Sequence, residues 1–130
     1  MPADLTAREE LVAALRPLLP KAWKLVPYAR NLDRLEKPTV MVHASRIEKM
    51  PAAPQAKHRV TFTVSVFDPQ VDSTRAQGAL DDEVNALIFA LDSIPFVHWE
   101  SAEAAQLGSD GPLGWDITLD TITKKEAPSG

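Results

Sequence analysis

The chain has 130 residues and a mass of 14.2 kDa, the size of one ordinary domain. Its 45% hydrophobic and 25% charged residues exclude whole-chain disorder. The absence of cysteine excludes disulfides, cysteine nucleophiles and Cys-ligated zinc. No apolar run approaches the ~18–20 residues of a membrane-spanning helix, and Asp4, Glu9 and Glu10 argue against a secretory leader.

The net charge of −4 hides an asymmetry. Residues 1–60 carry 11 Lys+Arg and 6 Asp+Glu, whereas residues 61–130 carry 3 and 12. The two halves either interleave and neutralise each other, or they give the subunit one positive and one negative flank. A subunit of the second kind packs head-to-tail with its own copies and can close into a ring. An overall acidic chain whose basic residues lack interleaved aromatics is a poor nucleic-acid binder.

Residues 6–19 read as an amphipathic helix. Thr6 and Glu9 form a capping box, Leu11, Val12, Leu15, Leu18 and Leu19 share one face, and Pro17 and Pro20 end or kink it. Residues 22–28 suit a short edge strand stopped by Pro27. Thr39–Ile47 is a strand in which Val40, Val42 and Ala44 alternate with Met41, His43 and Ser45. His58–Phe67 is the clearest strand, with Val60, Phe62, Val64 and Val66 on one face and Arg59, Thr61, Thr63 and Ser65 on the other. The arm between them, Glu48–Lys57, holds Pro51 and Pro54 and is too long for a tight turn. It is either a plain linker or a clasp on a neighbouring subunit.

Thr74 and Gln77 cap a second helix running to about Ser93. Leu80, Val84, Leu87, Ile88 and Leu91 form its apolar stripe, and Asp81, Asp82, Glu83 and Asn85 face outward. Gly78 near its start points to close packing there. Phe96–Ser101 is a short strand, Glu103–Leu113 a loop, and Trp115–Thr123 a last strand with Trp115, Ile117 and Leu119 opposed to Asp116, Thr118 and Asp120. The order α-β-β-β-α-β-β predicts an α+β fold: a two-layer domain over 1–123, with a mostly antiparallel sheet of four to five strands and both helices on one face. The other sheet face is then polar and Thr-rich. Residues 124–130 read as a flexible tail.

Catalytic patterns are missing. His43, His58 and His98 lie far apart on different strands, so a metal site has little support. There is no nucleophile elbow, no Walker loop, no dinucleotide fingerprint and no calcium loop. Asp68, Asp72, Asp81 and Asp82 flank a helix start, where acids suit the dipole without any catalytic role. No cofactor is expected. Trp23, Trp99 and Trp115 serve the core, or one of them anchors a subunit interface.

The segments KAWKLVPYARNLDRLEKPTVMVHASRIEKMPAAP (21–54), VTFTVSVFDPQVDSTRAQGALDDEVNALIFAL (60–91) and LGWDITL (113–119) resemble tail terminator proteins of long-tailed phages of actinobacteria. The likeness runs from the first helix to the last strand and consists of structural patterns, not catalytic signatures. It implies a non-enzymatic virion protein, assembled in the host cytoplasm and placed at the head-proximal end of the tail. There it would form a homo-oligomeric ring, a hexamer, that caps the tail tube, stops tube polymerisation and offers a surface for head–tail connector proteins. DNA is only passing cargo and no membrane is involved. On this reading Lys49, Met50, Lys57 and Arg59 meet a neighbouring subunit or the tube, and Asp116 and Asp120 line the lumen, where like charge keeps DNA from sticking. The alternatives are another neck or connector protein and, from a different class, a small cytoplasmic ligand-binding domain or enzyme.

Overall fold

A computed structural model describes residues 7–27, 37–49, 57–69, 74–106 and 113–124. The elements run α1 (Ala7–Leu15), a 3-10 turn (Arg16–Leu18), β1 (Lys24–Val26), β2 (Thr39–Lys49), β3 (Lys57–Phe67), α2 (Thr74–Leu91), β4 (Val97–Gln106) and β5 (Leu113–Lys124). The strands form one sheet in the order β1-β2-β3-β5-β4. Among the described residues only the β1–β2 pair is parallel. The fold is α+β, with a five-stranded mixed sheet and two helices.

The alternation in β3 organises the core. Val60, Phe62, Val64 and Val66 are buried beside Val40 and Val42 of β2 and Ile117 and Leu119 of β5. Leu11, Val12 and Leu15 of α1 and Leu80, Val84, Leu87 and Leu91 of α2 close over the same face. Both apolar stripes are thus removed from water by one sheet surface, at roughly 25 cal/mol per Å² of apolar area. α1 packs on β2 and β5, and α2 on β4. Arg8 reinforces the α1 side. Its guanidinium donates to the Pro27 carbonyl at 2.7 Å and the Val42 carbonyl at 2.9 Å, and lies 5.9 Å from the Phe62 ring centre. Val42 lies just past Met41, the last β2 residue that β1 pairs, so Arg8 supplies a donor where β1 stops.

Several boundaries differ from the sequence reading. α1 ends at Leu15, and Pro17 sits in the 3-10 turn instead of a longer helix. α2 ends at Leu91, short of Ser93. The largest correction concerns Glu103–Leu113: β4 runs through Glu103 to Gln106 and β5 begins at Leu113, so both ends of the expected loop are strand. Pairing with β5 overrides the weak strand preference of Ala102, Glu103, Ala104, Ala105 and Gln106. Lys124, expected in the tail, ends β5, and 125–130 lie outside the described residues. The Thr6 cap and residues 50–56 of the arm also lie outside them.

Gly78 does not mark close packing, because a Cβ there would meet nothing within 4 Å. Gly114 is the crowded glycine. A Cβ on it would fall 2.0 Å from the Val66 carbonyl oxygen and 2.6 Å from Phe67 Cδ1. That bare backbone makes room for Phe67 on the sheet face away from the helices. There Val26, Met41 and Phe67 form a second small buried cluster, with Ala105 against it.

Candidate functional site

Two surfaces stand out. The first is the sheet face opposite the helices. The register sets Thr61 against Asp120, Thr63 against Thr118 and Ser65 against Asp116, so the expected polar face exists, apart from the Phe67 cluster at one end. The Thr61 hydroxyl donates to Asp120 Oδ1 at 2.7 Å, and the Ser65 hydroxyl to Asp116 Oδ1 at 2.6 Å. Arg59 Nε lies 3.8 Å from Asp120 Oδ2. Both aspartates are half-buried, held by hydroxyls and backed by strand pairing. Glu103 stands opposite Asp116 and His98 opposite Asp120. This acidic row holds no metal centre: among the described residues, no group of three or more His, Cys, Asp and Glu could hold a metal ion.

The sequence-predicted residues distribute unexpectedly. Arg59, expected at a subunit contact, and Asp120, expected in a lumen, share one ion pair on the same face. Lys49 and Lys57 are the last residue of β2 and the first of β3, with Lys49 paired to His58 and Lys57 to Lys124. Met50 lies outside the described residues.

The second surface was not anticipated. α2 and the edge strand β4 leave a groove of about 410 Å³ lined by Asp81, Asn85, Ile88, Trp99, Ala102 and Trp115. A smaller pocket of about 170 Å³ shares Asp81 and Trp115 with it and is lined also by Leu113 and Ala104. The Trp115 indole N–H donates to Asp81 Oδ1 at 2.8 Å, which ties the ring to α2. Trp99 is 37% exposed, and Phe89, one helical turn beyond Asn85, is 76% exposed. Register shifts shape this edge. Glu100 is an extra residue between the Trp99–Leu119 and Ser101–Thr118 pairs, so Ala102 returns to the helix side as a small residue that leaves space. Asp81 and Asn85 were read as outward-facing residues of α2, and their neighbours on β4 and β5 follow only from the strand order.

Charge is laid out laterally. Residues 7–27 and 37–49, which make α1, β1 and β2, carry 7 Lys+Arg and 3 Asp+Glu. Residues 74–106 and 113–124, which make α2, β4 and β5, carry 2 and 8. Since β1 and β4 are opposite edges, the charge asymmetry of the chain becomes one of the sheet. On the acidic side, partial desolvation pushes the Glu83 carboxyl above its ordinary range, and the Asp68 carboxylate adds in the same direction.

No family model matches the chain, and no curated protein matches it. Among solved structures, similarity is found to the type 4 fimbrial biogenesis protein PilO from Pseudomonas aeruginosa, at 15% identity and a TM-score of 0.35, covering 65% of this chain and 58% of that one. The core region of PilO from the type IV pilus system of the same organism is similar at 16% identity and a TM-score of 0.34, covering 68% and 84%. Likenesses this distant assign neither a family nor a function. No helix among the described residues is long and apolar enough to cross a membrane.

Proposed function

We propose that the chain is a structural subunit of a phage tail, the tail terminator, acting without catalysis as a ring on the head-proximal end of the tail tube. The observation that carries the reading is the lateral charge layout, basic on the β1/β2 side and acidic on the β4/α2 side. Opposite flanks on one rigid sheet make a heterologous contact, and a heterologous contact that closes makes a ring. The resemblance of residues 21–54, 60–91 and 113–119 to tail terminators supplies the biological setting. On this reading the ring is a hexamer, its partners are the tube protein and the connector proteins, and its place is the virion.

The polar face suits a lumen. Asp116 and Asp120 are held in place by Ser65 and Thr61, so their charge points consistently where DNA would pass, and it repels phosphate. The test is deletion of the gene from the phage. Overlong tails, or tails unattached to heads, are expected. Normal virions with tails of normal length would remove the proposal.

A further inference from the structure

We infer that the outer edge of β4 pairs with the outer edge of β2 in a second copy of this chain, in an antiparallel ladder that sets Ile47 against Ala102 and Arg46 against Glu103. The inference rests on the ring reading for its consequence, a head-to-tail series of copies, and it names the strands that join them.

Among the described residues, no strand covers either edge. β4 is the last strand of the sheet. β1 pairs with β2 only over Thr39–Met41, which leaves β2 from His43 onward without a strand on that side. β4 contains no Lys and no Pro, residues that commonly blunt an exposed edge. Each edge also shows an apolar side chain to water. Ile47 on β2 is 68% exposed, and Trp99 on β4 is partly exposed. Ile47 pairs with Val60 and Trp99 with Leu119, both core residues, so the two lie on the helix side of the sheet. Arg46 pairs with Thr61 and Glu103 with Asp116, so these two lie on the open side.

Strand direction and charge select the partner. β2, β3, β5 and β4 are each antiparallel to the next, so β4 runs opposite to β2. Copies turned about an axis along the strands keep both strand direction and helix side. β4 of one copy then meets β2 of the next antiparallel, with the helices of both on one side. Two-fold pairing of β4 with β4 would instead bring Glu100 and Glu103 against their own copies, and like charges opposite each other destabilise a sheet. The named register places Ile47 beside Ala102, the small residue at the groove that Trp99 and Trp115 line. On the open side it sets Arg46 against Glu103 and Glu48 against Ser101. Arg46 and Glu48 already form an exposed ion pair at 3.0 Å, and such a pair readily takes a further partner. Moving the register two residues toward Gln106 would oppose Glu48 to Glu103. Moving it toward Val97 would draw the extra residue Glu100 into the ladder.

The chain has no cysteine, so introduced thiols report the contact cleanly. Full-length Ile47→Cys is mixed with full-length Ala102→Cys at about 1 mM under oxidised glutathione, and disulfide-linked peptides are read by mass spectrometry. Each variant holds one thiol, so every cross-link joins two molecules. Opposite residues of an antiparallel pair have Cβ atoms ~4.5–5.5 Å apart, which a small adjustment brings into disulfide range. The mixed product is expected well above the statistical share. Adding Arg46→Glu to the first variant should slow its formation at least about tenfold, and adding Glu103→Arg to the second should restore it. No excess of the mixed product, equal cross-linking of Ala102→Cys with itself, or a rate indifferent to the charge exchange would overturn the inference. A deletion phenotype in tails without the mixed cross-link would leave the ring reading standing and remove this contact. The mixed cross-link with normal tails would do the reverse.

Discussion

The two faces of the sheet are built from the same strands and obey different rules. On the covered face, β3 contributes Val60, Phe62, Val64 and Val66, all at most 5% exposed, and two helices seal them. On the open face the intervening residues, Thr61, Thr63 and Ser65, are half-buried and meet Asp120, Thr118 and Asp116. One residue of offset in the chain separates stability from surface chemistry. The covered face should therefore answer substitution with lost stability, and the open face with altered contacts.

Phe62→Ala should show the largest effect, about 3–5 kcal/mol of lost stability in urea unfolding, because it leaves a cavity under α1. Arg8→Ala should cost about 2 kcal/mol by leaving the Pro27 and Val42 carbonyls without this donor. The two glycines sharpen the contrast. Gly114→Ala drives a methyl into the Val66 carbonyl and Phe67 and should cost about 1–3 kcal/mol. Gly78→Ala meets open space in the helix and should stabilise by about 0.5–1 kcal/mol. Equal effects at both positions would contradict the packing described. On the open face, Ser65→Ala should cost only about 0.5–1.5 kcal/mol.

The smallest effect is expected at Glu83. Its carboxyl titrates above the ordinary range, so the ionised form is disfavoured in the folded state. The folded state then binds the proton more tightly than the unfolded chain does, and the penalty disappears as pH falls through the folded pKa. Glu83→Gln should raise Tm slightly at neutral pH and lose that advantage under acid conditions. A gain that persists at low pH would assign the effect to something other than this titration.

The covered face was legible in the sequence because periodicity reports burial directly. The stripe Leu80, Val84, Leu87 and Leu91 and the alternation in β3 appear in the structure as read. The polar face was legible for the same reason, as the complement of the alternation. The second half of β4 was not, because Ala104, Ala105 and Gln106 carry no alternating pattern and become strand only through Trp115, Gly114 and Leu113 opposite them. The groove was hidden for a related reason. Asp81 and Trp115 are 34 residues apart, and nothing local joins them. Gly78 was read as the close-packed glycine and the crowding lies at Gly114 instead, because crowding is a property of neighbours that sequence does not place. The arm was read as Glu48–Lys57, but Glu48 and Lys49 end β2 and Lys57 begins β3 because they pair across the two strands or with β5, and the pairing of Arg59 with Asp120 likewise needed β5 beside β3.

The most direct test of the account is immunogold labelling of intact virions with antibody raised against this chain, viewed by negative-stain electron microscopy. The account predicts gold at the junction of head and tail. Label confined to the capsid or the distal tail tip, or virions that carry none of this protein, would contradict it.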